Sequence, residues 1–484
     1  MSLFLVFLKA IFAQARRQAA PRHKKRKNSF YSALGLHYLC SVNREILKIA
    51  LPAIIANITV PLLGLVDTAI AGHLGDKVFI GAVAVGAMMF NLVYWNFGFL
   101  RMSTSGMTAQ TCGSGDFKES AKLLGESTAL AALVSGIIIV LQWPIRMLLL
   151  WIIGPSPEVT SLAITYFTIC IWGVPPVLVM MAFKGWLLGM QDSKGAMWIS
   201  IMTNIFNIGA SLICVYLLKM GFTGIAVGTM AGEWLGLLYA ALLVQRKFPR
   251  LNGMLAWRRV WRFKGAGRYF RVSRDIFLRS FLLMTVSLAF VSIGARSGDL
   301  ILAVNALILQ LFTLYSHFMD GIAFAGEAVV GKYYGMGDTD RMKRCVRLLF
   351  LWGLGVAAVF TLIYSFPRVA FWLLTDQQSV IAAAMDYRVW CALIPAVGMA
   401  AFVWDGVFIS LTRSMGMLIS AFIAWALFFI IYWVTPDAWG NNRLWIAYLS
   451  FLALRGIIQT ILYCGYLKRG VLQNRAYTEM AGRQ

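Results

Sequence analysis

LLGLVDTAIAG, residues 62–72, is apolar at nearly every position and yet carries Asp67 at its centre. A charge in the middle of a hydrocarbon-spanning helix costs about 2.5–3.5 kcal/mol on insertion scales, so a carboxylate there normally faces a cavity or a partner. Whether the stretch spans a membrane is decided by what surrounds it. Of 484 residues, 60% are hydrophobic and 13% charged, against about 25% charge in an average soluble domain. This is the composition of a polytopic membrane protein. Apolar segments long enough to span, about 20 residues each, lie near 46–70, 78–111, 121–151, 159–188, 196–218 and 222–244. A second set lies near 275–295, 300–331, 345–374, 379–411, 415–434 and 444–467. The expected fold is an all-α integral membrane protein with twelve transmembrane helices.

An even number of spans puts both termini on one side, and the positive-inside rule names the side. The connector Arg246–Arg274 holds ten Lys or Arg and no acid, and RHKKRK at 22–27 and LKRG at 467–470 add to it. Termini and connector are therefore expected in the cytoplasm, and the net charge of +24 is mostly a topology signal. These charges sit beside spans and need only anionic membrane lipid, so no nucleic-acid partner is expected. The expected organisation is a basic cytoplasmic tail at 1–43, an N-lobe at 44–245, the connector at 246–274, a C-lobe at 275–467 and a second tail at 468–484. Seven cysteines without CxxC spacing read as free thiols, with no metal site and no cofactor.

The two sets of six spans repeat one another. GSGD at 113–116 and GMGD at 335–338 both follow a long second span, an offset of 222. Pro175 with Pro395, Met197 with Met417 and Ser200 with Ser420 keep an offset of 220. Two six-helix units that both start from one side are parallel repeats about an axis along the membrane normal, with a substrate cavity expected between them.

Depth follows from the rise of about 1.5 Å per residue. Asp67 lies eight residues before Gly75, Ser211 eight before Lys219 and Thr229 eight after Gly221, each roughly 12 Å inside the outer surface. Asn207 and Asn204 continue the Ser211 face of the fifth span inward. The repeat supplies an internal control, because the C-lobe positions matching Asp67, Asn204, Asn207 and Ser211 are Phe290, Ala424, Leu427 and Ile431. A polar cluster present in one lobe only reads as an ion or proton site, with interhelical hydrogen-bonded packing as the alternative. Pro52 reads either as a kink in the first span or as a first-turn proline. Three further intramembrane acids are Asp320, Glu327 and Asp405. They are expected either to contact a cationic substrate or to pair with Arg101 or Lys184 as gates, Asp405 with Lys184 in particular. Glu233, one turn from Thr229, joins either pocket.

Residues 42–467 resemble the multidrug and toxic compound extrusion (MATE) transporters, in particular their DinF-like branch. The resemblance rests on LPAIIANITVPLLGLVDTAIAGHLG at 51–75, GWLLGMQDSK at 185–194, NIFNIGAS at 204–211 and MDGIAFAGEAVVGKYYGMGD at 319–338. It implies that Asp67 is a proton or sodium site, that Asn207 and Thr229 line its pocket, and that Pro52 is the kink. Many relatives have a second aspartate where this chain has Ser211, which makes a single proton the expectation and sodium the alternative. The implied protein is a secondary antiporter in a bacterial inner membrane, expected as a monomer, that exports amphipathic, cationic small organic substrates in exchange for protons. A lipid-linked oligosaccharide flippase of the same superfamily would more often have fourteen spans and a cavity lined by Arg and Lys. A membrane-embedded enzyme is the rival of another class, and no HExxH, GxSxG or carboxylate-rich metal motif supports it, so the chain is expected not to be an enzyme.

Overall fold

Twelve helices long and apolar enough to cross a membrane make up the computed structural model, which describes residues 30–254 and 266–472 and has no strand among them. The basic run at 22–27, the middle of the connector and the end of the second tail lie outside the described residues. In the N-lobe the spans are α1 (Phe30–Gly72), α2 (Lys77–Ser114), α3 (Phe117–Val140), α4 (Pro157–Gly189), α5 (Ser193–Leu217) and α6 (Phe222–Lys247). In the C-lobe they are α7 (Gly267–Arg296), α8 (Asp299–Gly335), α9 (Thr339–Ser365), α10 (Arg388–Ser410), α11 (Ser414–Val434) and α12 (Asn442–Lys468). The second, third, fifth and sixth helices of the lobes begin 222, 222, 221 and 220 residues apart.

Three expected spans prove shorter, the third and ninth because a short helix follows each and the tenth because one precedes it. Gln142–Ile153 follows α3 and Arg368–Leu374 follows α9. A further helix, Gln378–Asp386, precedes α10. The first span is longer than expected. Since α1 already begins at Phe30, Pro52 lies deep in its interior, as does Pro61, and the first-turn reading of Pro52 is overturned. A proline withholds the N–H that would bond the carbonyl four residues earlier. For Pro52 that carbonyl belongs to Lys48, and the Ser193 hydroxyl donates to it at 2.9 Å. The break in α1 is thus filled by the first residue of α5.

The repeated GSGD and GMGD motifs are turns built twice. Gly115 and Gly337 sit at φ +75° and +74°, and Asp116 and Asp338 cap the next helix by accepting from the backbone N–H three residues on, each at 2.9 Å. The first glycine of each motif crosses to the other lobe. A Cβ on Gly113 would lie 2.0 Å from the Lys332 carbonyl oxygen, and one on Gly335 2.1 Å from that of Gln110. So α2 and α8 cross backbone to backbone at the end that carries these turns, each using the same motif.

Candidate functional site

Helix α5 runs in the same direction as α1, and the Asn204 amide donates to the Thr59 carbonyl at 3.1 Å. Seven residues further along each helix, Ser211 therefore lies level with Val66 and Asp67. Helix α6 returns antiparallel, so close that a Cβ on Gly228 would lie 2.4 Å from the Ser211 backbone and one on Gly232 2.4 Å from that of Asn207. That register sets Thr229 at the same level. The structure thus brings Asp67, Ser211 and Thr229 to one depth, with Asn207 a turn inward, while Asn204 is occupied in tying α5 to α1. Asp67 is 6% exposed and Asn207 and Ser211 are 0% exposed. One Asp67 oxygen, both polar side-chain atoms of Asn207 and the Ser211 hydroxyl have no hydrogen-bond partner in the protein. Tyr166 on α4 interacts with both Asp67 and Thr229; sequence reasoning missed it because an aromatic in an apolar span carries no mark of polar use.

The matching place in the C-lobe is filled by rings. Phe290 is fully buried with its centroid 4.8 Å from Trp445 and 4.9 Å from Tyr448. Ala424, the counterpart of Asn204, is also fully buried. The two lobes share a frame, yet the N-lobe holds unpartnered polar atoms where the C-lobe has packed hydrocarbon.

Two of the three intramembrane C-lobe acids, Asp405 and Glu327, are closed by partners in contact. Asp405 was expected to pair with Lys184; it is held instead by Arg279 of α7 and Arg455 of α12, the latter at 2.6 Å, with Gln459 donating at 3.2 Å. The reason is geometric: α10 packs within its own lobe against α12, and Lys184 lies in the other lobe, where its electrostatic neighbours are Glu233 and Arg101. Arg279 and Arg455 could have been found in the sequence as bases inside the seventh and twelfth spans. Glu327 does pair with Arg101, bidentately at 2.8 and 3.2 Å, and the Ser105 hydroxyl also donates to it. The Arg101 guanidinium lies 3.9 Å from the Phe324 ring centre. Asp320, on the same face of α8, has Arg101, Asp405, Glu327 and Arg279 as electrostatic neighbours.

Glu327 reaches α2 because α8 widens into a π-helical turn over Gly326–Val330, a distortion that shifts a side chain around the helix and is common at functional sites. The same turn presents the Ala328 carbonyl to Gln191 at 2.9 Å. Further contacts join the lobes toward this end: Gln110 donates to the Ser410 carbonyl at 2.7 Å, and Arg268 donates to both Gln110 and Thr412 at 2.9 Å. Lys332 and Tyr333 meet Glu45 of α1 at 3.2 and 3.0 Å. Inter-lobe bonds extend from Asn57, whose amide donates to the His317 carbonyl at 3.3 Å, to this terminus-bearing end. If Arg101 and Glu327 clasp the lobes, Arg101→Glu or Glu327→Arg alone should lower transport sharply, and the exchanged pair should regain part of it. A coupling of about 1 kcal/mol or more in a double-mutant cycle is expected; strictly additive losses would show that the pair does not act as a unit.

A two-lobed, duplicated bundle with one specialised lobe and charges across its interface has the architecture of a secondary transporter. The MatE family model matches residues 52–213 and 276–434, and the chain belongs to this family of multidrug efflux transporters. It is 35% identical over 449 residues to DNA damage-inducible protein F of Escherichia coli strain K12, covering 91% of this chain and 96% of that one. It is 24% identical to a probable multidrug resistance protein NorM of Rhizobium meliloti, over 88% of this chain and 94% of the relative. Among solved structures, a Vibrio cholerae MATE transporter, VcmN, in its bent form superposes with a TM-score of 0.78 at 16% identity, covering 90% of this chain and 98% of that one.

Proposed function

We propose that the protein is a proton-coupled antiporter that exports amphipathic, cationic organic compounds across a bacterial inner membrane, with Asp67 as the coupling site. One observation carries the reading: unpartnered buried polar atoms surround a carboxylate in the N-lobe, whereas the duplicate position is the aromatic packing around Phe290. A group needed only to hold helices together would have served both lobes, while an ion site need exist once.

The expected cycle alternates access between two states. With the basic ends in the cytoplasm, the Gly113 and Gly335 crossings and the Arg101–Glu327 clasp close the inner side, which corresponds to an outward-facing state. Protonation of Asp67 removes its charge, so the outer half of α1 loses its reason to keep a polar environment. Pro52 and Pro61 give α1 places to bend, and Pro52 is the hinge nearer the closed end. Each proton moving inward with the membrane potential releases about 2.3 kcal/mol per 100 mV, plus about 1.4 kcal/mol per unit of pH difference. One or two protons thus sustain a steep outward gradient of substrate. Ser211 in place of a second acid leaves Asp67 the sole carboxylate at its level, which favours one proton over a sodium ion with its demand for several oxygen ligands.

The test is dye efflux in inverted membrane vesicles. An imposed pH gradient, acidic inside the vesicle, should drive accumulation, and an imposed sodium gradient at equal pH should not. The reverse result would assign sodium as the coupling ion.

A further inference from the structure

Most charges buried in the described spans have a partner in contact. Asp405 has Arg279 and Arg455, and Glu327 has Arg101. Lys184 of α4 and Glu233 of α6 differ: each is the other's electrostatic neighbour, yet among the described residues no hydrogen bond or ion pair within 4 Å joins either to any group. Both are half-buried, so each keeps accessible surface that no partner covers.

The positions of the two charges give the region between them a polarity. Glu233 stands at the level of Gly173, where a Cβ would lie 3.7 Å from its Cγ, and beside Tyr94 of α2, which feels its charge. Lys184 stands eleven residues further along α4, beside Arg101, whose backbone packs on Gly185. Tyr94 and Arg101 are seven residues apart on α2, hence on one face and roughly 10 Å apart along the axis. An acid with an aromatic ring thus stands at one end and a lysine, next to an arginine already bound to Glu327, at the other. Two opposite charges withdrawn from water gain most when each meets a counter-charge at contact distance. Here the chain holds them apart.

We infer that the gap between Lys184 and Glu233 is a recognition site for amphoteric organic compounds, whose cationic group meets Glu233 and Tyr94 and whose carboxylate meets Lys184. The inference rests on the exporter reading above and narrows its substrate class: the cation is common to all substrates, and the carboxylate adds affinity. Tyr94, whose ring stacks on Phe90, supplies an aromatic group near the cationic end. Lys184 suits a variable carboxylate because its ammonium is a point charge on a flexible stem, free of the fixed bidentate geometry of arginine.

The experiment uses the full chain in detergent and two probes, a xanthylium dye with a free benzoate and its ethyl ester, which carry the same cation and differ in the carboxylate. Equilibrium binding to the wild type should favour the free acid at least ten-fold. Lys184→Met should bring that ratio to about one, and Lys184→Arg should keep most of it. Glu233→Gln should weaken both dyes together. Equal wild-type affinities, no binding of either dye, or a Lys184→Met variant that retains the ratio would overturn the inference. Vesicle efflux separates this from the exporter reading: the ten-fold ratio in binding without efflux of either dye would remove transport and leave the recognition site standing.

Discussion

Asp67→Asn should abolish proton-driven efflux while leaving the protein folded. The amide has the carboxyl group's shape, and replacing a buried acid at 6% exposure removes the cost of holding a charge in hydrocarbon, about 2.5–3.5 kcal/mol at the centre of a span. Thermal stability in detergent should therefore be unchanged or higher. Substrate binding should persist, but its dependence on pH should vanish, because an amide does not titrate. The discriminating measurement is ligand affinity against pH for the purified wild type and variant. A variant that keeps the wild-type profile would show that Asp67 is a packing residue, and the coupling proton would then be sought at Glu233, Asp320 or Glu327. Ser211→Asp supplies the complementary result. It would set a second carboxylate at the level of Asp67, and two interacting acids titrate as a pair with separated apparent pKa values.

The largest loss of stability is expected from Asp405→Ala. Its carboxylate holds Arg279 and Arg455 together, and the three residues are 9%, 5% and 7% exposed. Removing one partner of a buried ion pair leaves uncompensated charge and costs about 3–5 kcal/mol; here two like charges would be left facing each other. The substitution should lower the midpoint of thermal unfolding by several degrees and reduce the yield of folded protein. A triple variant with Arg279→Met and Arg455→Leu added should recover most of the loss, since hydrophobic replacement of a whole buried charged group is often neutral or stabilising. A midpoint within one degree of wild type for Asp405→Ala alone would show that water reaches the cluster and that the bonds contribute little.

Both predictions rest on the same asymmetry. The N-lobe carries polar atoms with no partner in the protein around Asp67, and in the C-lobe Asp405 and Glu327 are closed by arginines. Under the proposed function the first arrangement changes its protonation and the second acts as a fixed strut. The bonds between Arg101 and Glu327 join α2 of the N-lobe to α8 of the C-lobe.

By itself the sequence determined the twelve spans, the duplication, and the depth of Asp67, Ser211 and Thr229. Each of these depends on local regularities: hydropathy over about 20 residues, a recurring motif, and a fixed rise per residue. The same regularities identify Phe290 as the counterpart of Asp67. What a single chain of letters cannot fix is the rotation of each helix about its own axis and the choice of neighbour across the bundle. Those decided that Asp405 meets Arg279 and Arg455, 126 and 50 residues away in the chain, and not Lys184. They also decided that the π-helical turn at Gly326–Val330 turns Glu327 toward Arg101, and that Ser193 fills the carbonyl freed by Pro52. Long-range pairing of charges is settled by the packing of apolar faces, because burying those faces brings the helices together and the polar groups then take whichever partner the packing has placed within reach.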